Sequence, residues 1–199
     1  MGDKPTLRTN TMVQTPTKHL TFEEYLTYDD GTDNRYEFVN GELVLMPPPT
    51  GQHADIVDFL EDIFKAEIKR LNLDWAVRPG TIGVRTVELK TRFPDLSIIT
   101  AEQRQSIRLK TAILESPPPL VIEVVSPESV KRDYRYKRSE YAVLEIPEYW
   151  IVDPLEAKVT VLLLVEGLYE QTEFKESEQI ISQTFSELTL TVEQVLTTA

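Results

Sequence analysis

Apolar residues recur along this chain with two different periods. Ile56, Phe59, Leu60, Ile63, Phe64 and Ile68 return at helical spacing, which predicts a helix from Thr50, its cap, to about residue 72 with one face in the core. Residues 120–125 form an apolar run broken only by Glu123, the pattern of a buried strand. Residues 36–46 fold back at Asn40-Gly41, the pair favoured in a type I′ turn, and Pro47-Pro48-Pro49 stops the second strand. Further strands are predicted at 75–78, 82–85, 96–99 and 148–154, and a hairpin at 159–165 and 168–174 through Glu166-Gly167. Thr21 with Glu24 forms a capping box, with Leu20 and Tyr25 as its staple, opening a short helix that the Asp29-Asp30-Gly31 turn ends. Ser126-Pro127 opens a helix to about residue 144, and another short helix covers about 191–196.

This order predicts an α/β (α+β) architecture: a mixed sheet flanked by helices. The polar stretch 101–116 is expected to be partly helical, an insertion or a flap. Residues 1–18 are polar and Thr-rich without periodicity and read as a disordered arm, leaving 19–199 as one domain.

Charge changes the picture in one respect. The 199 residues hold 21 basic and 33 acidic side chains, a formal net charge of -12, which argues against a protein coated with positive charge. Yet Lys131, Arg132, Arg135, Lys137 and Arg138 crowd around the single Asp133, a local excess that could meet a phosphate backbone through Arg132 and Arg135 or simply balance Glu128 and Glu140. Between residues 166 and 187 six glutamates face one lysine, so that edge should avoid DNA. With no cysteine, disulfides, thiolate catalysis and cysteine–zinc sites are excluded. No signal peptide or membrane span is visible, so a soluble, cytoplasmic protein is expected.

Candidate chemistry concentrates at Asp95 and Glu123. Asp95 opens an apolar strand, and Glu123 sits inside another, where an isolated carboxylate is costly without compensation. If the two strands are neighbours, the carboxylates can converge on one hard cation, with the Val124 carbonyl as a third ligand; Mg²⁺ needs no more, and Mn²⁺ could replace it. Otherwise Asp95 caps a turn and Glu123 lies at an exposed edge. Asp133, Lys137 and Tyr141 follow at intervals of four and share a helical face, so Lys137 either reaches a phosphate or forms a solvated pair with Asp133. His53, in the first turn of the long helix, either contacts a substrate phosphate or is a partly buried, hydrogen-bonded residue. Glu37 is a third acid or a polar residue on a half-exposed strand. No phosphate loop, dinucleotide turn, nucleophile elbow or histidine-rich zinc spacing is present.

Pro94-Asp95, then Glu123 in its strand, then a lysine resembles the PD-(D/E)XK nuclease superfamily with its restriction-endonuclease-like fold. The ordered series is closer still to a large bacterial family of restriction-endonuclease-like proteins long filed as a domain of unknown function. The series comprises Tyr36 to Leu43, the prolines before His53, Phe93 to Ser97, Val121 to Pro127, Asp133 to Lys137 with Tyr141, and Glu148 to Pro154. It spans roughly residues 20–196. Two positions after the glutamate, where the superfamily carries its lysine, this chain has Val125; the closer family supplies the lysine from the next helix, which corresponds to Lys137. The resemblance implies Mg²⁺-dependent hydrolysis of phosphodiester bonds in DNA, with Asp95, Glu123 and Val124 on the metal and Lys137 polarising the phosphate or the water. It extends the site to Glu37 and His53, with Tyr141 among the residues expected to meet substrate.

Two other readings remain: a catalytically inactive nuclease-fold module used for binding or assembly, and a hydrolase or transferase of a small phosphorylated substrate. A homodimer is expected if two sites act on a duplex, with the apolar strand 159–165 as an edge to be covered.

Overall fold

The computed structural model describes residues 19–197, so the arm expected at 1–18 lies outside the described residues. The elements are α1 (Phe22–Leu26), β1 (Tyr36–Val39), β2 (Glu42–Leu45), α2 (Gly51–Arg70), β3 (Ala76–Pro79), β4 (Gly83–Val87), β5 (Lys90–Arg92), β6 (Leu96–Ile99), α3 (Ala101–Ser106), β7 (Ile113–Leu114), β8 (Leu120–Val124), a π-helical turn (Arg132–Lys137), α4 (Arg138–Val143), β9 (Glu148–Asp153), β10 (Lys158–Val165), β11 (Leu168–Lys175) and α5 (Val192–Leu196).

Two mixed sheets form where the sequence suggested one. Six strands run in the order β11-β10-β9-β8-β6-β3, and five in the order β2-β1-β5-β4-β7. β8 and β9 are parallel, while β6 runs antiparallel to β8 and to β3. α2 lays Ile56, Leu60 and Phe64 onto the face of the larger sheet made by Ile98, Leu120, Ile122, Val124 and Trp150. Burying side chains of this size contributes on the order of 1.5–3 kcal/mol each. The opposite face carries Val121, Val125, Tyr149 and Ile151 against Tyr141 of α4 and Val84 of the smaller sheet. Glu123 therefore shares its face with Val121 and Val125, as strand alternation requires.

Both hairpin turns have the expected backbone, with positive φ at Asn40 and Gly41 and at Glu166 and Gly167. Three expectations are corrected. The stretch 101–116 is no flap: Thr100 and Gln103 cap α3 reciprocally, and the Gln103 side-chain amide donates to Ser116 and Pro117. β10 is not an edge, because it pairs with β9 on one side and β11 on the other; the edge is the polar β11. After Ser126 comes a turn in which Ser129 Oγ accepts from the Ser126 N–H, and helix begins only at Val130. Among the described residues no helix is long and apolar enough to cross a membrane.

Candidate active site

The antiparallel register of β6 and β8 pairs Leu96 with Ile122 and, continued by one residue, sets Asp95 opposite Glu123. The two acids thus meet at one end of the larger sheet. Asp95 Oδ2 accepts the Val124 N–H at 2.7 Å, and Asp95 Oδ1 lies 3.2 Å from His53 Nε2 at the start of α2. Thr50 fixes that helix start by accepting the His53 N–H, which is why the imidazole arrives here.

Glu123 is held from both sides. Tyr141 donates its phenol proton to Oε1 at 2.5 Å, and Lys137 Nζ sits 2.6 Å from Oε2. Lys137 also lies 3.3 Å from Asp133 Oδ1, an atom that makes no hydrogen bond. The solvated-pair reading of Asp133 and Lys137 is therefore wrong, since both are buried. In an α-helix, residues four apart drift around the axis by about 40° per step. The wider π turn, with its i to i+5 bonds, holds back that rotation, so Asp133, Lys137 and Tyr141 all stay on the Glu123 side.

Electrostatics follow from this packing. Burial pushes the Glu123 carboxyl up to about 8, against the pull of Lys137, and the nearby charges of Asp95 and Asp133 push the same way. Burial alone would lower the Lys137 ammonium, but Glu123, Asp133, Glu37 and Asp95 outweigh it and hold the lysine protonated. Burial also opposes ionisation of Asp95, yet the His53 hydrogen bond and the Lys137 charge leave it below the ordinary carboxylate value. Tyr141 is raised well above a normal phenol by burial and then by Glu123, so it remains a donor.

The other expected site residues fall less uniformly. Glu37 is buried, not half-exposed, and its carboxylate accepts from Arg92 Nη1 at 2.7 Å. Arg92 reaches Glu140 with Nε and Nη2, and Lys90 joins Glu140 at 3.0 Å. Glu37 thus belongs to a balanced network of two acids and two cations beside the site, not to a ligand set with Asp95 and Glu123. Tyr141 has no exposed surface, so it orients Glu123 rather than meeting substrate. Arg132 Nε stands 3.9 Å from Asp133, Arg135 is exposed, and Arg138 points away to Gln171 and the Tyr169 carbonyl. The basic turn is therefore not one surface. Arg92 and Glu140 escape a reading of the sequence as site residues, because Lys90-Thr91-Arg92 shows no apolar alternation and Glu140 reads as a charge balancing the basic turn.

Among the described residues no group of three or more His, Cys, Asp or Glu side chains converges as a metal cluster. Two carboxylates and a backbone carbonyl are nevertheless a hard-oxygen set of the kind Mg²⁺ accepts. The inner cluster fits such an ion by charge: Glu123 and Asp133 contact one ammonium and Asp95 lies within its field, leaving two negative charges in excess when all three acids ionise. Asp95, with a quarter of its side chain exposed, opens the cluster to solvent.

The chain matches the Uma2 family, described as "Putative restriction endonuclease", over residues 22–193. It is 24% identical over 143 residues to an uncharacterized protein of Synechocystis sp., covering 71% of this chain and 79% of that one. The crystal structure of a "putative nuclease belonging to DUF820" from Anabaena variabilis superposes with a TM-score of 0.74 at 19% identity, covering 90% of this chain and 98% of that one. That likeness shows the fold, which is the restriction-endonuclease-like one the residue series implied. With nearly its whole described length inside the family match, the chain belongs to the Uma2 family of restriction-endonuclease-like proteins.

Proposed function

We propose that the protein is a divalent-metal-dependent endonuclease that hydrolyses phosphodiester bonds of DNA, using Mg²⁺ or Mn²⁺. One observation carries the reading: Asp95 and Glu123 sit opposite each other at the sheet end in a cluster of three acids around one ammonium, open to solvent at Asp95. Asp95, Glu123 and the Val124 carbonyl would hold the ion. When bound, the ion supplies Lewis-acid stabilisation of the charge that grows on the phosphate oxygens. Lys137 keeps its proton and lends positive charge to the same region, while Tyr141 fixes the plane of the Glu123 carboxylate. His53 fixes Asp95 and stands at the open side, within reach of a substrate phosphate.

Cleavage of supercoiled plasmid with Mg²⁺ or Mn²⁺ tests this. Asp95→Asn and Glu123→Gln should each lose at least about a hundredfold in rate with the fold retained. Glu123→Gln is preferable to Glu123→Ala, which would strip Lys137 of its nearest partner. Cleavage that persists in both variants would refute the assignment.

A second reading, an inactive nuclease-fold module, is favoured by one observation. Both oxygens of Glu123 already have partners, and burial holds its carboxyl up near 8. Calorimetry separates the two, since the inactive module binds no Mg²⁺ or Mn²⁺ at millimolar concentration.

A further inference from the structure

The open edge of the larger sheet carries a feature outside the acid cluster. β3 ends the six-stranded order, so one side of it lacks a strand partner among the described residues. Between this edge and the last turns of α2 lies a groove of about 450 Å³, lined by Lys65, Lys69, Asn72, Trp75 and Arg78 among others. Among the described residues no acidic side chain lines it. Lys65 is paired with Glu61, but Lys69 has no carboxylate partner among the described residues, and Arg78 donates only to the Val77 carbonyl.

The groove leads toward the acids. Arg78 lies opposite Ser97, Pro79 opposite Leu96, and the Gly80 N–H donates to the Asp95 carbonyl at 2.9 Å. At that junction a third cation appears: Arg35 donates to the Gly80 carbonyl and stacks over Phe93, without a carboxylate partner among the described residues. Lys69 and Arg78 on the groove and Arg35 at Gly80, next to Asp95, are thus three cations at or near this edge in a chain of net charge -12. Residues 76–80 of an extended chain span on the order of 13 Å.

We propose that this edge binds an unpaired nucleic-acid strand, with Lys69, Arg78 and Arg35 on its phosphates and a base against Trp75. Cations spaced along a groove suit a polyanion. An indole at the groove wall suits a base face, which a single strand presents and a stacked duplex hides. The choice of nucleic acid as occupant rests on the nuclease reading above, but binding here needs neither metal nor turnover.

Fluorescence anisotropy with a labelled single-stranded oligodeoxynucleotide in EDTA tests the proposal, with a blunt duplex of the same sequence as the comparison. The single strand should bind more tightly than the duplex and quench Trp75 emission, a change absent in Trp75→Phe. Lys69→Glu and Arg78→Gln should each weaken binding about tenfold and lower the salt slope by about 0.7 for each phosphate no longer neutralised. Lys69 is on the surface, so its variant reports even if Arg78→Gln folds poorly. Wild-type affinity in Lys69→Glu and Trp75→Phe, or tighter binding of the duplex, would overturn the proposal. A protein that binds the strand this way yet cleaves nothing with Mg²⁺ would refute the nuclease reading and leave the groove assignment standing. One that cleaves while Lys69→Glu binds normally would do the reverse.

Discussion

Lys137 Nζ lies 2.6 Å from Glu123 Oε2, and neither side chain exposes more than 5% of its surface. The lysine comes from a helix and the glutamate from a strand, 14 residues apart, yet they form the tightest ion pair of the cluster. Such a pair is poor evidence of stability in itself, because desolvation offsets most of the attraction. Removing one partner is a different matter, since the survivor is then buried without a counter-charge.

Lys137→Met should show this. It leaves the Glu123 and Asp133 carboxylates facing an apolar chain, and about 3–5 kcal/mol of stability should be lost at pH 7. Urea denaturation measures the loss. Pairing the substitution with Glu123→Gln should recover part of it, because the two residues are in contact and their effects are not additive. An unchanged urea midpoint for Lys137→Met alone would mean that the ammonium is solvated.

Tyr141→Phe isolates the other constraint on Glu123. The phenol makes its hydrogen bond to a carboxylate at 2.5 Å inside the core. Such a bond contributes roughly 0.5–1.5 kcal/mol to a neutral partner and roughly 1.5–3 kcal/mol to a charged one, and the ring stays packed edge-on against Tyr149 in the variant. If Glu123 holds a metal, its orientation matters as well, and Mg²⁺ affinity by calorimetry should weaken at least about tenfold. A stability loss with unchanged affinity would make Tyr141 a packing residue only.

Metal should also stabilise the fold. A cluster of three acids around one ammonium gains from any cation that binds the folded state alone. For a millimolar Kd, 10 mM Mg²⁺ would add about 1.4 kcal/mol. Thermal unfolding at pH 7 should show a rise in Tm that disappears in Asp95→Asn and in Glu123→Gln. A rise of the same size in both variants would place the ion elsewhere on the acidic surface.

Much of this is legible in the sequence, and the rest is hidden for definite reasons. The Asn40-Gly41 turn, the apolar face of α2 and the acids Asp95 and Glu123 all follow from local rules, because turn chemistry and periodicity are local. β5 is hidden because Lys90-Thr91-Arg92 has no apolar alternation; its cations point at Glu140 and Glu37, residues distant in the chain. β7 has only two residues and owes its pairing to β4. Spacing places Asp133, Lys137 and Tyr141 on one face but cannot show that the face is buried, nor that a π turn keeps it aligned. Tyr141 reads as a substrate residue because a phenol on a helix face gives no sign that it lies beneath a carboxylate.

The Arg92 network gives the last prediction. Burial tends to raise the Glu140 carboxyl, but the hydrogen bonds and charge of Arg92, then those of Lys90, overcome this and hold it below the ordinary value. A carboxylate lowered in the folded state contributes stability above its unfolded pKa, and the contribution disappears as pH falls through the folded value. Glu140→Gln should therefore cost most at pH 7, on the order of 3–5 kcal/mol for a broken buried pair. The gap to wild type should stay level down to about pH 5, near the unfolded range for glutamate, and close progressively in more acid solution. Urea titrations of both proteins from pH 7 to pH 3 measure it. A gap independent of pH would mean that Glu140 acts through shape and hydrogen bonding, with its charge contributing nothing to the tie between α4 and β5.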